Sequence, residues 1–330
     1  PVQMGGTPVS AITFFTSVNE QLQFVEQRMR EQAGDGQHPD LKSALEHLLS
    51  AGGKRIRPTL GLLVGNMLGA PEEKLVTLGA SVELLHTATL VHDDLIDGAL
   101  LRRGMPTLNA RWSPAATVLT GDFLFSRAAK LAAETDYLPL MKLFAETLGI
   151  IVNGELTQMF SSHGMIDRNN YYNRIYAKTA SLFEMSALAA TMVATEDEEI
   201  RSAMKAFGYE VGMAFQIVDD ILDFAGVQST VGTPIGSDLL NGLVTLPAIY
   251  FAEANPYNED VLSLPGGGWK ETARVQRLVD AIRESRAIGQ ALEEARKAVS
   301  RALNSLDVAP TSPEKDALED LAKFIVDRKI

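Results

Sequence analysis

Two stretches of this chain set acidic triplets inside apolar, helix-period sequence: LLHTATLVHDDLID over Leu84 to Asp97 and FQIVDDILDF over Phe215 to Phe224. Each carries Asp-Asp-x-x-Asp, first as Asp93, Asp94 and Asp97, then as Asp219, Asp220 and Asp223. Residues four apart stack on one helix face, so Asp93 with Asp97 and Asp219 with Asp223 each form a carboxylate pair. Burying such groups without compensation costs several kcal/mol per ion. The fold must therefore offer each triplet a cation, a metal ion or a wet cavity. One such segment alone also reads as a solvated face; two copies, both with apolar flanks, argue for a site.

Apolar residues recur three and four apart over Ser17 to Arg30, Leu41 to Ala51, Leu60 to Met67, Glu73 to Asp97, Ala115 to Thr135 and Leu138 to Phe160. The same period continues over Asn170 to Thr195, Asp197 to Phe224, Leu246 to Ala254, Lys270 to Leu303 and Pro313 to Asp327. This spacing predicts an all-α fold with no competing strand. Gly and Pro gather at 34–39, 104–106, 226–236 and 265–268, which read as loops. Aromatic residues make up only 7% of the chain and hydrophobic residues 46%, a balance that favours helices over a β-sandwich. A length of 330 residues fits one large domain or two ordinary ones. The expectation is a single domain over 1–330, built as one large helical core.

A formal charge of −12 repels polyanions at long range, which argues against a nucleic-acid partner. The absence of cysteine removes disulfides and thiolate metal sites, and fits a reducing cytoplasm, the expected location. No run of eighteen apolar residues occurs, and Pro1 to Thr7 lacks the pattern of a signal peptide. A soluble protein with a trimmed start is expected.

Hard oxygen ligands without Cys or an HExxH motif favour Mg2+, which binds through one or two carboxylates plus substrate phosphates. His92, beside the first triplet, reads as a packing or hydrogen-bonding side chain rather than a ligand. A bound diphosphate also needs cationic donors, and the chain has compact groups of them: Gly52-Gly53-Lys54-Arg55-Ile56-Arg57-Pro58, Arg102-Arg103-Gly104 and Lys178-Thr179. Taken alone, each could be an ordinary charged loop, but the glycines beside Lys54 allow close backbone approach to an anion.

Taken together, GGKRIRP at 52–58, HDDLIDGALLRRGMPTLN at 92–109, GELTQ at 154–158, KTASLF at 178–183, FQIVDDILDF and GSDLLNGLVTLP resemble the trans-polyprenyl diphosphate synthase family, over nearly the whole chain and in the expected order. The resemblance implies the isoprenoid synthase fold, an all-α bundle around a central cavity, and a homodimer. It implies that the two aspartate triplets hold three Mg2+ ions, for which Mn2+ can stand in, together with an allylic diphosphate. Arg102, Lys178, Thr179 and Gln216 would serve that same diphosphate. Gly53, Lys54, Arg57, His86 and Arg103 would bind isopentenyl diphosphate, with Phe215 against its hydrocarbon end. Two departures stand out: family lysines are replaced by Thr233 and Leu243, which removes two cations from the leaving diphosphate.

The implied reaction is head-to-tail condensation. Loss of the allylic diphosphate creates a cation, so the largest catalytic contribution is stabilisation of developing negative charge by Mg2+, Arg102 and Lys178. The alkene of isopentenyl diphosphate attacks, and the leaving diphosphate is the implied base. The 226–236 loop is a candidate lid that keeps water out. Thr89, Ala88, Leu85 and Ser81, on the turns before Asp93, are expected to set how deep the product tail runs. The small residues Ala88 and Thr89 leave that path open over roughly 18 Å, which favours a long product over a farnesyl or geranylgeranyl one. Phe144, on the face of Glu155 three turns away, is a candidate floor or an ordinary core residue. An amphiphilic long product predicts transient contact with a membrane surface. A terpene cyclase shares the aspartates but has no need of an isopentenyl site, and a non-catalytic partner subunit would tolerate the lost lysines.

Overall fold

A computed structural model of the chain describes residues 13–34, 37–161, 163–226 and 234–328. Much of the expected 226–236 loop, including Thr233, lies outside the described residues, as do 35–36 of the expected turn at 34–39 and the first twelve positions. The chain forms two compact units interleaved in sequence, one from 1–144, 186–204 and 308–321, the other from 145–185, 205–307 and 322–330.

The all-α expectation holds. The first helices are α1 (Thr13–Ser17), α2 (Asn19–Arg30), α3 (Pro39–Ser50), α4 (Ile56–Met67) and α5 (Glu72–Ile96). After a short hairpin come α6 (Leu108–Arg111), α7 (Pro114–Ala133), α8 (Leu138–Ser161) and α9 (Arg168–Ile175). A π-turn, Tyr176–Ala180, then leads into α10 (Ser181–Met192) and α11 (Glu198–Ala225). The remainder is α12 (Ser237–Leu240), α13 (Leu246–Ala254), α14 (Glu259–Ser263), α15 (Thr272–Glu284), α16 (Ala287–Ser305) and α17 (Pro313–Asp327). Local chemistry sets several starts. The Ser113 hydroxyl accepts from Ala116 N at 3.2 Å with Pro114 in the first turn of α7, and Asp167 accepts from Asn170 N at 2.6 Å to open α9.

In the first unit α5 packs with α2, α4 and α7. It is apolar on nearly every face, as a helix enclosed by neighbours should be. By length and composition it could cross a bilayer, yet 78% of its most apolar window is buried, which marks a core helix. Leu84, Leu85 and Ala88 are wholly buried. A leucine moved from water to such a place contributes about 1.5–3 kcal/mol.

Three expectations need correction. The predicted helix from Lys270 to Leu303 is two helices, because Ser285 ends one and starts the next: its hydroxyl donates to Ile282 O at 2.7 Å and accepts from Ala287 N at 3.1 Å. The predicted helix from Asn170 to Thr195 is interrupted by the π-turn. Among the described residues there is also one small antiparallel pair, β1 (Leu101–Arg102) and β2 (Met105–Pro106), in register Leu101↔Pro106 and Arg102↔Met105. Its two central residues, Arg103 and Gly104, have φ of 52° and 76°, the left-handed pair that a tight two-residue hairpin requires.

Two glycines of the second unit make room for the wide turn. A Cβ on Gly154 would sit 2.4 Å from Ala177 Cβ, and one on Gly212 would sit 2.6 Å from Ala180 Cα. Gly212→Ala is expected to cost about 1–3 kcal/mol of overpacking, read as a lower denaturant midpoint. An unchanged midpoint would mean that the turn relaxes freely.

Candidate functional site

The first triplet closes α5. Asp94 is buried, Asp93 half-buried, and Asp97 exposed as the residue that caps the helix end. Arg102 reaches Asp94 from the hairpin, with Nη2 donating to Oδ1 at 2.7 Å and Nε to Oδ2 at 3.0 Å. Burial opposes the Arg102 charge, but its hydrogen bonds to Asp94 and the pull of Asp93, Asp94 and Asp97 outweigh this and raise its pKa. The next residue, Arg103, donates instead to the Gly52 carbonyl. One tight turn thus sends consecutive guanidiniums to two places, the aspartate end of α5 and the glycine loop before α4. The hairpin is held by Thr107 Oγ1 and Asn109 Nδ2 donating to Ala99 O at 2.7 and 2.8 Å, and by His47 Nε2, 2.7 Å from Pro106 O.

The glycine loop divides its own cations. Arg55, left-handed at φ 49°, turns inward, with Nη1 donating to the buried Glu83 at 2.7 Å and Nε to Glu26 at 3.2 Å. It is a structural anchor, paired with an acid that sequence reasoning passed over. Gly53 and Lys54 stay exposed, and Arg57 Nη1 donates to His86 Nε2 at 3.3 Å. Because arginine has no acceptor, Nε2 must carry the lone pair. Burial, then the neighbouring Arg57, Arg103, Arg102 and Arg55, push the His86 pKa well below its ordinary value, so this imidazole is neutral. Burial and the like charge of Arg102 also lower the Arg103 pKa. A cavity of about 50 Å³ is lined by His47, Glu83, His86, Asp94, Arg102 and Arg103, and at its edge Arg103 and His86 are pressed by neighbouring arginines while Arg102 is balanced by Asp94. An anion is the ligand that relieves that pressure.

In the second unit α11 carries Phe215, Gln216 and the second triplet. Asp220 is buried and accepts from the Tyr171 hydroxyl at 2.7 Å and from Gln216 Nε2 at 2.8 Å. Gln216 Oε1 in turn accepts from Thr179 Oγ1 at 2.6 Å. Asp219 pairs with Arg328, whose Nη1 lies at 2.7 Å and whose guanidinium covers the Phe215 ring. Asp223 accepts from Ser237 Oγ at 2.7 Å and from the backbone of Ser237 and Asp238. Burial pushes Asp220 up to about 7 despite its hydrogen bonds, and it raises Asp223 and Asp238 as well. Repulsion from Asp220 and Asp223 adds to the rise at Asp238. Lys178, within the π-turn, pairs with Glu155 of GELTQ at 2.9 Å. Phe215 meets Phe183 with ring centroids 5.3 Å apart.

The expected chain-length residues fall on α5 as well. Ser81, Leu85 and Ala88 are wholly buried and Thr89 half-buried. Ser81 donates to Ala128 O of α7 at 2.7 Å, and His92 Nε2 lies 3.0 Å from Val118 O of α7, so this stripe leans on α7 at both ends. Phe144 is buried on α8. Asp238, Tyr171, Arg328 and Glu155 are neighbours of the site that sequence reasoning did not assign. Glu155 and Asp238 sat inside quoted motifs, GELTQ and GSDLLNGLVTLP, and nothing local marks Tyr171 or Arg328.

Helix-borne aspartate triplets beside anion-seeking cations define a class, the helical prenyltransferases that act on diphosphates. Residues 38–282 match the polyprenyl synthetase family. Heptaprenyl diphosphate synthase component 2 of Bacillus subtilis (strain 168) is 33% identical over 316 residues, 96% of this chain and 90% of that protein. The all-trans-nonaprenyl-diphosphate synthase (geranyl-diphosphate specific) of Rhodobacter capsulatus is 37% identical, with 87% and 88% covered. Among solved structures, the polyprenyl synthase from Caulobacter crescentus CB15 complexed with calcium and isoprenyl diphosphate matches with a TM-score of 0.88 at 32% identity, covering 96% of this chain and 97% of that one. The chain belongs to the polyprenyl synthetase family and is a prenyltransferase with the all-α isoprenoid synthase fold.

Proposed function

We propose that this prenyltransferase adds isopentenyl diphosphate to an allylic diphosphate, head to tail, through repeated rounds that end in a long polyprenyl diphosphate. Arg103 and the neutral His86, set among Arg55, Arg57 and Arg102, carry this reading, because a diphosphate anion would offset the positive charge that presses on them. The products named for the relatives, heptaprenyl and nonaprenyl diphosphates, support the long chain.

The residues fit divalent cations. Asp220, Asp223 and Asp238 are pushed toward protonation, which a cation would reverse. Among the described residues no three carboxylate or imidazole groups form a ready cage, so an ion would take its remaining ligands from phosphate and water, as Mg2+ does. The calcium in the Caulobacter crescentus complex supports divalent-metal use. Bound through Asp93, Asp94, Asp97, Asp219, Asp220 and Asp223, three Mg2+ ions would neutralise the diphosphate and ease its departure. Arg102, Lys178, Thr179 and Gln216 orient that diphosphate, and Arg102 and Lys178 balance the charge left as it departs. Gly53, Lys54, Arg57, Arg103 and neutral His86 hold isopentenyl diphosphate, with Phe215 against its apolar end. In the absence of lysines at 233 and 243, more of the cationic work falls to Lys178 and Arg102.

The working form is a homodimer. On α8 Val152, Leu156, Met159 and Phe160, three, four and eight apart, make an exposed apolar face with Phe160 at 78%, as an unmet partner surface would. Light scattering that finds a monomer would remove this part of the reading.

The test uses the purified chain with Mg2+, labelled isopentenyl diphosphate and allylic primers, with products separated by chromatography. Label in a series of lengthening diphosphates is expected. A second reading comes from the name of the Bacillus subtilis relative, component 2: this chain could work only with a second, different subunit. Incorporation by the chain alone would rule that out, and no incorporation with any primer would sink the first reading.

A further inference from the structure

We infer that Tyr171 is a positioning residue, one that fixes the Asp220 carboxylate in a single orientation for a divalent cation; the inference rests on the metal role proposed for Asp220. The Asp167 cap starts α9 one turn ahead of Tyr171 and so sets the angle at which its ring enters the second unit. That ring has no exposed surface, and its hydroxyl, 2.7 Å from Asp220 Oδ2, is a donor with no water to turn to. A phenol keeps its proton at neutral pH, so Tyr171 is the donor in this pair and the carboxylate the acceptor. Gln216 donates to the other oxygen, Oδ1, at 2.8 Å, and Thr179 fixes Gln216 in turn. With a donor on each oxygen the carboxylate plane cannot rotate, yet each oxygen keeps a lone pair for a metal. Three residues on, Arg174 lies over the Tyr171 ring at 5.6 Å and donates to Val244 O at 2.8 Å, which closes off the space into which the ring could swing.

Partners that orient a metal ligand raise metal affinity by shrinking the set of orientations the ligand must give up. Tyr171→Phe removes one oxygen and leaves the ring. Three quantities are measured on the full chain: Mn2+ binding from loss of the free-ion electron paramagnetic resonance signal, the Mg2+ concentration for half-maximal rate, and KM for isopentenyl diphosphate. Asp220→Asn and the double variant are run alongside. Tyr171→Phe is expected to weaken both metal readouts about 10- to 100-fold while KM for isopentenyl diphosphate stays within about twofold. In the Asp220→Asn background it should add nothing, because the two groups act as one unit. Wild-type Mn2+ affinity in Tyr171→Phe beside weakened affinity in Asp220→Asn overturns the inference and leaves the metal reading intact. Parallel loss of Mn2+ and isopentenyl diphosphate binding also overturns it, since that marks a merely structural tyrosine. Wild-type Mn2+ affinity in Asp220→Asn removes the metal reading itself, and the inference with it.

Discussion

Asp93→Ala is expected to lose turnover by at least about 100- to 1,000-fold, the loss seen when one group that stabilises developing charge is removed from an active site. The fold should survive, because Asp93 is only half-buried at the last turn of α5, and Asp94, not Asp93, takes the Arg102 fork. Asp219 calls for a different substitution. Its partner Arg328 has a side chain only 8% exposed, so alanine at 219 would strand a buried cation and confuse stability with catalysis. Asp219→Asn keeps an oxygen for Arg328 Nη1 and removes the charge. It should match Asp93→Ala in turnover with little change in melting temperature. Near-normal kcat in both variants at saturating Mg2+ would be fatal to the site assignment.

The second large effect is on product rather than rate. Ala88→Phe should move the product distribution to shorter chains, because Ala88 is wholly buried one turn before His92 and a phenyl ring there has no solvent to escape into. Either it takes volume that the product tail uses or it pushes against α7, where Ser81 and His92 on the same stripe are tied. The two cases separate cleanly. A shortened product with a modest change in stability places the tail beside Ala88. An unchanged chain-length profile with a loss of about 1–3 kcal/mol from overpacking makes Ala88 a packing residue and refutes the tunnel geometry. Thr89→Phe, at a half-buried position, is the companion that spares the α7 contact.

What could be read in advance followed the range of the interactions involved. The limits of α5, α8 and α17 were predictable to within a residue or two because apolar period, caps and breakers are local. The break at Ser285 was not, since the flanking sequence keeps helix period straight through it and only the hydroxyl geometry reveals two caps. The β1–β2 hairpin was missed because two-residue strands cannot show alternation. The π-turn at Tyr176–Ala180 was missed because its own residues keep helix period, and the glycines that leave room for it, Gly154 and Gly212, stand on other helices. In the site, the aspartates announced themselves by being costly where they stand. Their partners did not: Tyr171 is 49 residues from Asp220 and Arg328 is 109 from Asp219, so no window along the chain connects them. The GGKRIRP motif drew attention to its cations but could not say that Arg55 spends its charge on Glu26 and Glu83.

The hairpin has one more consequence. Arg102 and Arg103 sit side by side on a stiff two-residue bend, one bound to Asp94 and the other to Gly52. With the substrate roles proposed above, affinity for donor and acceptor is geared to a single mechanical part. Gly104→Ala, which strains that bend, should worsen KM for both substrates together, whereas changes at the exposed Lys54 should affect the acceptor alone. Selection acting on this turn therefore cannot tune one substrate without retuning the other, and independent adjustment has to come from the loop before α4 or from α11.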